Sequence, residues 1–325
     1  MASSISHSQR ATVFIAASET DANLYYATKF IAPDPFIYLE IKGERILVMS
    51  DLEMDRAKSQ SSVDRVLSYS EVEGRAKTQG IAEPGTVEVV HILLREAGIT
   101  QILVPANFPF GHALKFQSLG YQLVPKRDPF YEQRVVKTAE EIGYIEAAQR
   151  ATEQAVAAAF DLLRQASINK DQLWFEGIPL TSERVKKLIN VTLMECDCVA
   201  QHTIVAGGEQ ACDPHNEGSG PLPAHRSIIF DVFPRSATNR YFADMSRTVV
   251  RGTPSPELKR LYKTVLAAQE EAITKVKDGA DGKRIHQGIL ARFEKAGYQT
   301  GLVNGRMQGY FHGTGHGVGL DIHEM

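Results

Sequence analysis

Cysteine is scarce here: Cys196, Cys198 and Cys212 are the whole supply in 325 residues, an odd set with no repeated C-x-x-C spacing. Neither a disulfide framework nor a structural zinc knot can be built from them, and a reducing compartment is the expectation. Long apolar runs are missing too. No stretch approaches the ~18 residues of a membrane span, and the opening MASSISHSQR is polar where a secretion signal needs an apolar core. Charge of one sign is also lacking: 36 Lys and Arg stand against 39 Asp and Glu, a net −3. Such a surface offers no basic field to nucleic acid or to an anionic membrane. These absences leave a cytoplasmic protein whose partner is a small, weakly charged molecule.

The length suits two domains rather than one, and 43% apolar with 23% charged residues is the composition of a chain that builds real cores. From residue 11 to about 124, short apolar runs alternate with helical patterns, the texture of a mixed α/β layer. Residues 13–17 read as a strand and residues 36–41 and 45–49 as a hairpin across Lys42-Gly43-Glu44. A helix over 86–97 closes at Gly98, and 101–104 is another strand. The acidic run Asp51, Glu53, Asp55 reads as a solvated face rather than an ion site. Pro125 and Pro129 break the pattern, which sets a boundary near residue 132 and two domains, 1–132 and 133–325. The capping box Thr138-x-x-Glu141 then opens an amphipathic helix with apolar positions at Ile142, Ile145, Val156, Phe160 and Leu163. Further helices are predicted over about 182–196, from Ser255-Pro256-Glu257 to near Gly279, and from Asp281 to Gly297.

The chemistry gathers late. His312, His316 and His323, three of the ten histidines, fall within the last fourteen residues among Gly313, Gly315, Gly317 and Gly319. Glycine lets the backbone turn and lets a ligand or another strand come close, so such a string can aim imidazoles into one cleft. The plainer alternative is a glycine-rich turn whose histidines hydrogen-bond nearby carbonyls. The helical zinc signature H-E-x-x-H is excluded, because glycine costs a helix about 1 kcal/mol per residue. Upstream, residues 227–233 form a strand of β-branched and aromatic residues with Asp231 in its middle, and residues 241–250 return as a strand carrying Asp244. A buried carboxylate is costly unless paired or metal-bound. Two antiparallel strands can present both to one face, which suits hard or borderline divalent ions. The competing reading has Asp231 ending a strand and Asp244 paired with Arg247.

Three settings, Ile228-Ile-Phe-Asp231, Tyr241-Phe-Ala-Asp244-Met-Ser-Arg-Thr248 and His312-x-x-Gly-His316-Gly-x-Gly-Leu-x-x-His323-Glu324, resemble the metal-dependent pita-bread aminopeptidases. These are Xaa-Pro aminopeptidase, Xaa-Pro dipeptidase (prolidase) and methionine aminopeptidase. Lys137-Thr-x-x-Glu-Ile142 resembles the opening of the family's catalytic domain, and residues 11–130 resemble the amino-terminal domain of its proline-specific and creatinase-like branches. The resemblance implies an α/β (α+β) fold, a creatinase-like mixed α/β domain followed by a pita-bread domain. It implies two divalent metal ions, manganese first, with cobalt or zinc as alternatives. Asp231 would chelate one metal, Asp244 bridge both and His316 bind the other. His215 and His323 would face the substrate, His323 stabilising the tetrahedral intermediate, while His312 shapes the pocket without ligating. The implied function is hydrolysis of the N-terminal Xaa-Pro bond of a short peptide by a homodimer.

The family's two remaining glutamate ligands follow the histidine motif, and this chain ends at Met325 before either. A C-terminally incomplete pita-bread domain, part of a longer protein, is therefore the expectation, with three of the family's five ligands and so a two-metal site too weak to ensure activity in this chain by itself. Two other functions occur on the same fold: a metal-dependent lyase of dimethylsulfoniopropionate, and a non-catalytic binding protein as in the histone-chaperone relatives. The retained ligands and the absence of a charge-run tail argue against the binding role.

Overall fold

The computed structural model describes residues 9–325, and contacts divide the chain after Arg134 into two units. The strands of the first, in chain order, are β1 (Arg10–Ala16), β2 (Phe36–Ile41), β3 (Glu44–Met49), β4 (Arg65–Ser68), β5 (Gln101–Pro105) and β6 (Gln122–Lys126). They form one sheet in the order β4-β3-β2-β1-β5-β6, antiparallel at β1–β2 and β2–β3 and parallel elsewhere. Between them run α1 (Ala22–Thr28), α2 (Met54–Gln60), α3 (Tyr69–Thr78), α4 (Thr86–Glu96) and α5 (Phe110–Ser118).

Both faces of this sheet are covered. Val13, Ile15, Ile37, Leu39 and Val48 share one core with Val89, Val90 and Ile92 of α4. Phe14, Tyr38, Leu47 and Met49 share another with Leu24, Phe30 and Phe130. A strand buried on both faces has no polar side to alternate with, which explains the near-continuous apolar runs of β2 and β3. Their turn is tighter than the sequence implied. Lys42 and Gly43 alone make it, at φ of +53° and +85°, and Glu44 already pairs with Ile41. Two positive φ values in a two-residue loop match the twist of the flanking strands. The acidic run is spent locally: Asp51 accepts from the Ser68 and Ser70 hydroxyls, and Glu53 pairs with Arg56.

The second unit opens with α6 (Ala139–Gln165), started by the expected box: the Glu141 amide donates to Thr138 Oγ1, and the Thr138 amide to Glu141 Oε2. A small sheet of β7 (Ser167–Asn169), β8 (Gln172–Phe175) and β9 (Ile178–Pro179) follows, then α7 (Ser182–Glu195) and β10 (Cys198–Val199). The site-bearing sheet has the order β11-β12-β14, from β11 (Ile204–Gly207), β12 (Ile228–Val232) and β14 (Met245–Val249), all antiparallel. Between the last two lies β13 (Arg235–Ser236), which pairs with β10. Then come α8 (Pro256–Lys275), α9 (Gly282–Lys295) and the hairpin β15 (Gly301–Val303) and β16 (Arg306–Gln308). No helix among the described residues is long and apolar enough to cross a membrane.

Three expectations shift. The buried stripe of α6 runs on Ala148, Ala151, Ala155 and Ala159 with Val156 and Leu163, whereas Ile142 is 47% exposed. Small residues at three- and four-residue spacing bring α6 close to Val185, Ile189 and Leu193 of α7 and to Ile228, Phe230 and Val232 of β12. The helix opened by Ser255 ends at Lys275, with Gly279 beyond it. Residues 241–244 are not ladder strand: Phe242 donates to Gly319 and Ala243 to Pro234, so Asp244 stands at the entry to β14.

Candidate metal centre

β12 alternates strictly. Ile228, Phe230 and Val232 point into the α6 core, which sends Asp231 to the opposite, half-open face. Asp231 pairs in register with Ser246 of β14, whose hydroxyl donates to Asp231 Oδ1 at 2.6 Å. Asp244 stands at the entry to β14, two residues before Ser246 and near enough to Asp231 for the two charges to act on each other. Burial, and after it the charge of Asp231, holds the Asp244 carboxyl above the usual carboxylate range, against the opposing pull of His316 and His323. Two partly dry carboxylates that act on each other favour a positive charge between them.

The histidine loop closes on this face. Gly317 and Glu324 exchange both backbone hydrogen bonds, at 2.8 and 2.9 Å, and form a narrow bridge flanked by His316 and His323. The two imidazoles meet edge to face, with centroids 4.4 Å apart. Glycine is needed at Gly317 because a Cβ there would lie 2.7 Å from the Met325 carbonyl oxygen. His316 Nδ1 lies 2.9 Å from the Gly317 carbonyl oxygen. A carbonyl only accepts, so Nδ1 carries the proton and Nε2 is left with the lone pair in the neutral ring. That Nε2 sits 3.3 Å from Asp244 Oδ2. Two acceptors so placed repel unless a proton or a cation lies between them. Two ligands each about 2 Å from one divalent ion are separated by such a distance, so the donor chemistry of this pair fits a metal.

The plainer reading of the loop is thus half right: His312 and His316 do bond adjacent carbonyls, and in His316 that bond leaves the other nitrogen facing Asp244. His312 Nδ1 makes the same contact, to Gly313, and its ring lies edge-on to Tyr310 at 4.5 Å. His215 is exposed in the loop after Gly208–Cys212, and its amide donates to Asp213 Oδ1. Among the described residues, no hydrogen bond, ion pair or ring contact joins His215 or His312 to the other four. Nor do any three His, Cys, Asp or Glu side chains among them close around a single point as a metal cluster. The Asp244–Arg247 pairing does not form; Arg247 donates to the Ser246 carbonyl instead. Sequence reasoning missed Ser246 as the partner of Asp231, although its period-two distance from Asp244 was the available signal.

A family model of metallopeptidase family M24 matches residues 143–325. The Xaa-Pro dipeptidase of Pyrococcus furiosus is 28% identical over 198 residues, 61% of this chain and 51% of that protein, so the match spans about half the length of that relative. The Xaa-Pro dipeptidase of Pyrococcus horikoshii is 26% identical over 307 residues, 93% of this chain and 76% of that one. The solved prolidase of Pyrococcus furiosus superposes with a TM-score of 0.74 at 21% identity, covering 97% of this chain and 81% of that one. The fold is accordingly the mixed α/β fold of the prolidases, pita-bread architecture included. Because the family model covers more than half of the sequence, Asp231, Asp244, His316 and His323 included, the chain belongs to metallopeptidase family M24.

Proposed function

We propose that this protein hydrolyses the peptide bond between an N-terminal residue and a following proline, with two divalent metal ions. The observation that carries the metal half is the approach of His316 Nε2 to within 3.3 Å of Asp244 Oδ2, a carboxylate on which the charge of Asp231 also acts. Support for the proline half comes from the relatives named Xaa-Pro dipeptidase and Xaa-Pro aminopeptidase. Asp231 would chelate one metal, Asp244 bridge both and His316 bind the second. When bound, such ions polarise the scissile carbonyl and lower the pKa of water toward neutrality.

The chain's own groups do the rest. His323, packed against His316, donates to the oxygen on which charge develops. His215 and His312 line the substrate side once a peptide is bound. Carboxylates with one imidazole suit manganese, and cobalt or zinc serve the same donors. Three free cysteines support a cytoplasmic location, and the working form is a homodimer acting on short peptides.

The test is release of the first residue from an Xaa-Pro dipeptide and an Xaa-Pro-Xaa tripeptide in the presence of Mn2+. Release that stops with a chelator and is lost in Asp231→Ala is the expected result. Release that survives chelation, or equal rates on Xaa-Pro and Xaa-Ala peptides, contradicts the reading.

A further inference from the structure

The two halves of the histidine loop are built differently. A Cβ placed on Gly315 would meet no atom within 4 Å, and one on Gly313 only the Gly315 carbonyl oxygen at 3.9 Å. Residues 317–324, by contrast, wrap one carboxylate. Glu324 Oε1 accepts from the Leu320 amide at 3.0 Å and from the Asp321 amide at 3.2 Å. Its Oε2 accepts from Lys137 Nζ at 2.5 Å, a residue 187 positions away just before α6. The pair is largely withdrawn from water, with side chains 13% and 8% exposed. Gly319 faces the carboxylate so closely that a Cβ would lie 2.6 Å from Oε2.

A second tie runs from the same place. Glu141, four residues after Lys137, accepts from the Tyr241 hydroxyl at 2.6 Å, and Tyr241 begins the segment that delivers Asp244. The Gly319 carbonyl accepts from the Phe242 amide at 2.8 Å and joins the two tied segments to each other.

We propose that Glu324 is a positioning residue: with Lys137 it latches residues 317–324, so that His316 and His323 face Asp244 before any ligand arrives. Its amide bonds set the curl of the hairpin, and Lys137 gives the withdrawn carboxylate a partner of opposite charge. The consequence for catalysis rests on the metal site proposed above, whereas the latch itself is a property of the metal-free protein.

Two readouts separate these. Amide hydrogen exchange over residues 317–324 is followed in the metal-free protein, and Mn2+ affinity by titration calorimetry, in the wild type, Glu324→Gln, Lys137→Met and Lys137→Arg. Glu324→Gln and Lys137→Met are expected to speed exchange at Leu320 and Asp321 about tenfold or more and to weaken Mn2+ binding about ten- to hundredfold. Lys137→Arg stays near wild type in both, and α6 keeps its protection throughout. Should Glu324→Gln fail to fold, Gly319→Ala crowds the same carboxylate from its other side and takes its place. Wild-type exchange in Glu324→Gln overturns the latch, and fast exchange with unchanged Mn2+ affinity overturns its positioning role. If the wild type binds no Mn2+, the metal reading fails, and exchange at Leu320 and Asp321 alone decides the latch.

Discussion

His316 is fixed from two directions, by the carbonyl of its neighbour Gly317 and by the carboxylate of Asp244. The latter contact is where charge matters most, since burial and Asp231 already disfavour the Asp244 anion. Asp244→Asn keeps the shape and removes the charge. It is expected to abolish measurable Mn2+ binding while the metal-free protein melts no lower than wild type, checked by calorimetric titration and thermal unfolding. At this scale the sequence was informative wherever a residue was out of place locally. A carboxylate amid Ile228, Phe230 and Val232 stands out, and so does a histidine among glycines. Ser246 and the Lys137–Glu324 pair did not stand out, because a strand serine is ordinary and no local pattern links two residues 187 positions apart. His215 was identified through resemblance and His312 through its place in the histidine string, and the geometry joins neither to Asp231, Asp244, His316 or His323.

Among elements, the loop that carries His215 depends on one backbone crossing. Gly218 has φ of +78°, and a Cβ there would fall 1.9 Å from the Val205 carbonyl oxygen in β11. Gly218→Ala is expected to destabilise the protein by about 3 kcal/mol, read from denaturant unfolding, because positive-φ strain and a backbone clash add. At the start of α6, Thr138→Ala removes half of the capping box and is expected to cost about 1 kcal/mol. The box was legible because its two side chains are three residues apart. The alanine stripe of α6 was not, since alanine is too weakly apolar to mark a face, and it is chosen here for close approach to α7.

Helix α4 offers a pH test. Burial pushes the Glu88 carboxyl up, but the Lys115 ammonium and the amides of Glu88 and Gly85 outweigh it and hold the group below the usual glutamate range. A depressed native pKa stabilises above the unfolded value of about 4.3 and is lost as pH falls through the native one. Glu88→Gln is expected to be less stable than wild type at pH 7 and to converge with it as the pH falls below the usual glutamate range, followed by urea unfolding from neutral to acid pH.

For the whole molecule, alternation of apolar runs and helical patterns revealed a mixed α/β chain, but not the order in which strands meet. β1 lies between β2 and β5, a neighbour from more than eighty residues later, and only tertiary packing decides that. The proposed ligands all lie in the unit after Arg134. Ligand binding stabilises only the state that binds, by about 2.7 kcal/mol at a hundred times Kd. Saturating Mn2+ is therefore expected to raise the unfolding temperature of that unit and leave the protection of β1, β2 and β3 against hydrogen exchange unchanged.

The most direct test of the metal centre is anomalous diffraction at the manganese edge from crystals grown with Mn2+. The account predicts a peak within coordination distance, about 2.2 Å, of both Asp244 Oδ2 and His316 Nε2, absent from Asp244→Asn crystals. A wild-type map with no peak between those two atoms, in crystals where the protein is otherwise ordered, would contradict it.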